Sequence, residues 1–302
     1  MIDQKELNKA RELRQQGYST KEISEMMNKS QRTIQRYVAA VNILEVLEED
    51  DDSETPEIES NQEFDLEGAL WILPDKEKPK NRIMGCIGDL HLPVMKKGYI
   101  EFLIDTFKKW NVTDIMFMGD CVDMSTLSHH VPEADAPSVP EEFSQAQKTL
   151  DILYKVFPTA KCCKGNHTAR LEKRASDSGI PAFCIKSLRE LFKIPKTWDI
   201  QDVFEINGVT YTHGTQFNSR NILTTAANFT SGSLVIGHQH SLLGVVYNTN
   251  MFGRESFAMA CGCGVDETAY AFRYGKNNKM KSVLGCGIVV SSREAYAIKW
   301  EV

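Results

Sequence analysis

No stretch of this chain approaches the run of about 18 apolar residues that a membrane-spanning helix needs. The first residues, Met1 to Glu6, also lack the apolar core of a secretory signal. The expectation is a cytoplasmic protein that does not enter membranes. The eight cysteines contain no C-x-x-C pair, which argues against the knuckles of a structural zinc module. Cys86, Cys121, Cys162 and Cys163 fall in or beside strand-like runs, where a reduced thiol is a small apolar filler. Cys261-Gly-Cys263 with Cys286 is the weaker alternative, a zinc site without the usual spacing. Basic residues are missing altogether from 42–67, which hold twelve acidic ones.

That acidic block alone makes the net charge of −6, because residues 1–41 and 68–302 each carry a small positive excess. Its run Glu48 to Asp52 repels itself, and Ser53, Thr55 and Pro56 follow, so 43–79 reads as a disordered acidic linker. What remains of the 302 residues, 42% of them hydrophobic, suffices for one small domain at 1–42 and one large domain at 80–302.

Residues 1–42 read as three short helices. Leu7, Ala10 and Leu13 mark the first, and Ser19-x-x-Glu22 is a capping box that opens a second carrying Ile23, Met26 and Met27. After Asn28-Lys29 turns the chain, Ser30 caps a third helix with Ile34, Val38 and Val41 on its inner face. Gln31, Arg32, Gln35 and Arg36 are left on the outer face. Arg and Gln reach guanine and adenine edges, so this is the helix-turn-helix arrangement. Residues 18–37 resemble the DNA-binding segment of phage and transposon regulators; the alternative is a helical bundle used for oligomerisation.

The large domain carries five clusters in a fixed order: Asp89-Leu-His91, Gly119-Asp120-Cys-Val-Asp123, Gly165-Asn166-His167, His213-Gly214 and Gly237-His238-Gln-His240. They use five of the seven histidines. Each follows a strand-like run, at 83–87, 114–118, 160–163, 209–212 and 234–236, so their side chains are expected to converge on one edge of a sheet. Imidazole mixed with carboxylate suits borderline first-row metals. Two such ions roughly 4 Å apart form a recurrent clamp for phosphoryl chemistry.

This pattern resembles that of the calcineurin-like metallophosphoesterases, over residues 80–302. The resemblance implies a four-layer α-β-β-α sandwich, here with a small all-α domain ahead of it. It assigns Asp89, His91 and His240 to one metal, Asn166, His213 and His238 to the other, and Asp120 to both. His167, oriented by Asp123, would face substrate as general acid or as a stabiliser of transition-state charge. Mn is the expected metal, with Fe or Zn as alternatives.

Departures from the pattern bear on substrate. Relatives that dephosphorylate proteins carry an arginine where Met124 stands and a glutamate where Thr168 stands, which disfavours that activity. Arg170 and Arg174, one turn apart after His167, are candidates to hold a phosphate or a nucleic-acid backbone, or else they pair with Glu172 and the acidic linker. Residues 125–147, with His129-His130, read as a loop that shapes access. Helices are expected at 99–110, 141–157, 169–175 and 182–192, with a hairpin turning at Asn207-Gly208. Later strands at 244–248, 256–260, 284–290 and 296–300 are expected to form a second sheet.

The expected activity is hydrolysis of phosphate esters by a dimetal phosphodiesterase or nuclease, concentrated on nucleic acid by the amino-terminal domain. If phage-encoded, it would act in the host cytoplasm. A small-molecule phosphatase or cyclic-nucleotide phosphodiesterase would share every ligand. A DNA-binding regulator with a vestigial catalytic fold is the third reading.

Overall fold

Two compact units, 1–61 and 62–302, divide the chain. The computed structural model describes residues 9, 12–13, 16, 19–29, 82–128, 136–217, 223–224, 232–270 and 281–301. In the first unit this leaves one complete helix, α1 (Thr20–Met26), opened by the expected capping box of Ser19 and Glu22. Ile23 in it is buried. The expected first helix falls largely outside the described residues. The third helix, with Gln31, Arg32, Gln35 and Arg36, and the linker 43–79 lie wholly outside them.

The second unit is built on two sheets. In the first, the order is β11-β10-β1-β2-β3-β4, with β1 (Ile83–Ile87), β2 (Asp114–Phe117), β3 (Ala160–Cys163) and β4 (Trp198–Gln201) parallel to one another. β10 (Gly285–Val290) and β11 (Glu294–Lys299) complete it in antiparallel pairing. The second sheet runs β5-β6-β7-β9-β8, from β5 (Val203–Ile206), β6 (Val209–Thr212), β7 (Ser233–Ile236), β8 (Leu243–Thr249) and β9 (Glu255–Cys261).

Period-two alternation decides what lies between the layers. Met84, Cys86, Met116 and Met118 point from the first sheet toward Tyr211, Val235, Phe257 and Met259 of the second, forming the inner core. Ile87, Ile115 and Phe117 point the other way, under α2 (Tyr99–Lys109) and α3 (Val139–Val156). α2 earns its place with Ile100, Leu103, Ile104 and Phe107 on one stripe. α3 starts at a capping box of Ser138 and Glu141 with Pro140 in the first turn. This mixed α/β arrangement of two facing sheets agrees with the expected sandwich. Of residues 218–231, only Leu223 and Thr224 are described.

Several expectations need correction. β10 and β11 were expected in the second sheet but extend the first beside β1. Alternation reveals which face of a strand is buried, not its partner. The segment 182–192 is no continuous helix; it holds a 3₁₀ turn and a single α turn, α5 (Leu188–Leu191). β4 escaped notice because only Trp198 in it is fully buried. Residues 125–147 are loop only in part, since α3 begins at Val139; His129 and His130 lie outside the described residues. The Asn207-Gly208 hairpin forms as expected, both residues having positive φ. No described helix is long and apolar enough to cross a membrane.

Candidate metal centre

The five clusters meet, but not on one edge of one sheet. Asp89, His91, Asp120 and Asn166 follow β1, β2 and β3 of the first sheet, whereas His213, His238 and His240 follow β6 and β7 of the second. The centre therefore lies where both sheets end. Each strand terminates in a sharp turn that swings its ligand inward. His91 (φ 49°), Asp120 (φ 41°) and His238 (φ 62°) all adopt the left-handed region, a strain that packing must hold.

The glycines of the clusters make room for the next ligand. A Cβ on Gly165 would sit 1.9 Å from Asp120 Oδ1, and one on Gly119 (φ 110°) would sit 2.5 Å from His213 Nδ1. Neither position tolerates any side chain without moving a ligand.

One donor group comprises Asp89 Oδ2, His91 Nε2 and His240 Nε2. His240 Nε2 lies 2.9 Å from the carboxylate oxygen and 3.0 Å from His91 Nε2, and His91 Nε2 lies 3.6 Å from the same oxygen. A second group surrounds His213 Nε2, which is 2.9 Å from Asn166 Oδ1 and 3.0 Å from Asp120 Oδ2. Asp89, Asp120, His213 and His238 also bring ligand atoms within 4.8 Å of one another. Ligands about 2.0–2.2 Å from a shared ion stand roughly 3–3.5 Å apart. The observed spacings match.

His213 supplies the sharpest test of fit. Its Nδ1 lies 3.0 Å from the Met118 carbonyl, which only accepts, so the ring proton sits there. Once the ring gives up its second proton, the Nε2 lone pair faces two oxygens. Asp120 Oδ2 is buried and makes no well-formed hydrogen bond, although His213 Nε2 is near. Its other oxygen is occupied by the His167 backbone N–H at 2.8 Å. Acceptors turned on one another in a buried pocket want a cation between them, and the buried His/Asp set fits divalent metal ions.

His167 is held apart from these donors by Asp123. Asp123 Oδ1 accepts from His167 Nδ1 at 2.5 Å and from His91 Nδ1 at 2.7 Å. One carboxylate oxygen thus fixes two rings, leaving each Nε2 to work: that of His91 toward the metal donors, that of His167 toward the cleft. Arg170 closes the group, donating Nη1 to the Asp123 carbonyl at 2.9 Å and Nη2 to His167 Nε2 at 3.1 Å. His167 also falls within ligand distance of His91 and Asp120, so proximity alone would count it as a donor. Its two hydrogen bonds argue otherwise.

The electrostatics divide the rings. Burial pushes the His91 pKa down, but Asp123 and Asp89 outweigh it and raise it to about 10. For His213, burial is likewise overcome, by Asp120 and Asp89, and the pKa rises to about 9. In His167 and His238 burial prevails and the pKa falls. Burial works against the carboxylates of Asp89, Asp120 and Asp123, yet the facing imidazoles hold all three below the usual range.

One supporting residue escaped the sequence reading, and another that it singled out for phosphate serves a structural role. Glu142 is buried on the apolar stripe of α3, and its two oxygens take the backbone N–H and hydroxyl groups of Ser125 and Thr126, fixing the turn after Asp123. A charge on an apolar stripe was the signal. Arg174 of α4 (Arg170–Asp177) ties the same turn by donating to the Leu127 and Ser128 carbonyls. The cysteines at 261, 263 and 286 are buried free thiols, and no cysteine joins a metal-ligating group among the described residues.

The architecture around this centre is a mixed α/β one of two facing sheets. Solved structures similar to this chain include vacuolar protein sorting 29 from Cryptosporidium parvum, 13% identical, covering 72% of this chain and 92% of that one with a TM-score of 0.40. The E. coli phosphoesterase YfcE is 16% identical, covering 72% and 100% with a TM-score of 0.36. Pseudomonas putida nuclease MPE is 11% identical, covering 71% and 87% with a TM-score of 0.28. A family model described as "Putative ATPase subunit of terminase (gpP-like)" matches residues 6–46. No curated protein matches the chain.

Proposed function

We propose that this chain is a dimetal phosphoesterase whose substrate is nucleic acid. The observation that carries the hydrolase reading is the pair of neighbouring donor groups, one around Asp89 and one around His213 and Asp120, with His167 beside them and turned to Asp123 instead. Asp89, His91 and His240 would hold one ion, Asn166, His213 and His238 the other, and Asp120 both. When bound, the two ions supply Lewis-acid charge that neutralises phosphoryl oxygens during in-line displacement.

The chain's own residues do the rest. Asp123 keeps the proton of His167 on Nδ1, so Nε2 meets the leaving group. With its pKa lowered, the resting ring is neutral and offers a lone pair to Arg170. A dianionic or anionic ester entering beside it favours the protonated ring, so the general acid forms as substrate binds. Met118 and Asp89 steady the second-sheet ligands: the first accepts from His213 Nδ1, and Asp89 Oδ1 accepts the His238 backbone N–H at 2.9 Å.

A nucleic-acid substrate rests on the helix-turn-helix reading of the amino-terminal domain, whose second helix opens at the expected capping box. Hydrolysis of bis-p-nitrophenyl phosphate, single-stranded DNA and duplex DNA by the full chain, with and without added Mn²⁺, tests both parts. Metal-dependent cleavage of DNA in preference to the small diester is the expected result. Cleavage of the small diester alone would remove nucleic acid, and no metal-dependent cleavage of any substrate would remove the enzyme.

A further inference from the structure

Arg170 and Arg174 sit one turn apart on α4, and the fold uses them in different ways. The Nε–H and Nη2 of Arg174 are taken up by backbone carbonyls of Leu127 and Ser128, which makes it a strut. Arg170 engages Asp123 and His167 through Nη1 and Nη2 only. Its Nε–H and second Nη2–H meet no acceptor among the described residues, and a fifth of the side chain stays exposed (20%). Those two donors form the side-on fork of the guanidinium, the pair that matches two oxygens of one phosphoryl group.

Charge points the same way. Neither Arg170 nor Arg174 pairs with Glu172 among the described residues, and the acidic position after Gly-Asn-His is filled by neutral Thr168. Asp123, the one carboxylate that Arg170 meets there, already accepts from two imidazoles. The guanidinium is therefore anchored at one edge and incompletely neutralised at the other.

We propose that Arg170 is a substrate-binding residue whose Nε/Nη2 edge takes two non-bridging oxygens of the phosphoryl group beside His167, while Nη1 stays on the Asp123 carbonyl. This rests on the phosphoesterase reading and names the side chain that recognises the anion. Because the same guanidinium touches His167 Nε2, an arriving phosphoryl group meets the binding fork and the imidazole together. Charge and bidentate geometry are both used, so lysine should replace it only in part.

The test is calorimetric titration of inorganic phosphate into the full-length chain, metal-free and Mn²⁺-loaded, for the parent, Arg170→Gln and Arg170→Lys. Losing a charge-assisted pair should weaken phosphate binding about tenfold or more in Arg170→Gln in both states, with Arg170→Lys in between. Mn²⁺ stoichiometry should be unchanged, and KM for bis-p-nitrophenyl phosphate should rise more than kcat falls. Unchanged phosphate affinity in Arg170→Gln overturns the proposal. So does a loss confined to kcat, which would make Arg170 a prop for His167. If Arg170→Gln fails to fold, undiminished phosphate affinity in Arg170→Lys overturns it equally, as does a parent chain that takes up no phosphate in either state. A parent that binds phosphate through Arg170 yet hydrolyses no ester would instead remove the phosphoesterase reading and leave this one standing.

Discussion

The two halves of the centre draw on both sheets but are built to different strengths. Around Asp89, a carboxylate and an imidazole are fully buried, and His91 is backed on its far nitrogen by the charged Asp123. Around His213, the second oxygen donor is the neutral amide of exposed Asn166, and the backing group is the Met118 carbonyl. A carboxylate behind a ligating imidazole raises its basicity, and burial excludes competing water. The Asp89 half should therefore retain its ion while the His213 half exchanges. Under the proposed assignment Asp120 would serve both ions, so both halves should feel its loss.

The largest effect is expected there. Asp120→Asn should abolish hydrolysis and lower metal content in both halves, as measured by elemental analysis of the dialysed protein. Two ions retained with normal turnover would end the bridging assignment and with it the comparison of two halves.

Next comes His167→Ala, which should keep both ions and lose roughly 10²–10⁴ in rate. A substrate with a very good leaving group should recover part of that loss. Metal loss in this variant would make His167 a further donor to the Asp89 half.

The asymmetry itself can be titrated. Asp123→Asn should weaken the Asp89 half by about 10–100-fold in metal affinity and leave the His213 half near its parent value. Equal weakening of both would show that the backing groups do not differ. Protons offer a second reading. His91 and His213, with pKa values raised to about 10 and about 9, are charged in the metal-free chain at pH 7.5 and must release their protons to ligate. Calorimetry in buffers of different ionisation heat should report release of about two protons as both ions bind. For the same reason the metal-free chain gains stability from these raised groups below the unfolded value of about 6.5 and loses it as pH rises through about 9–10. Its melting temperature should fall across that window. The loaded chain should not follow it.

No change in either half is expected from Arg32→Ala with Arg36→Ala. Turnover of a small chromogenic diester should stay at the parent level, while DNA binding weakens and its salt dependence becomes shallower by up to roughly one unit per phosphate-contacting arginine. Parent-like DNA binding would leave the nucleic-acid substrate without support from the first domain.

Sequence alone could locate this centre because its chemistry is local. A strand, a glycine and a ligand recur five times, and each repeat states which atom types arrive at a strand end. The capping boxes at Ser19 and Ser138 and the Asn207-Gly208 turn were legible for the same reason: each is settled within a few residues. Strand partnership was not. Nothing in 284–290 says that it pairs with β1 across two hundred residues of chain, because alternation encodes a face and leaves the neighbour to packing.

Thus the order of motifs, the donor types and the missing acidic residue at Thr168 were determined by sequence. Only the tertiary structure decided that one oxygen of Asp123 serves both His91 and His167, that buried Glu142 pins the turn behind it, and that Arg174 is a strut while Arg170 keeps an open fork. These are matters of which lone pair meets which hydrogen. Hydrogen bonds are lost over less than an ångström, and residues far apart in the chain reach that register only when two sheets and their helices have packed together.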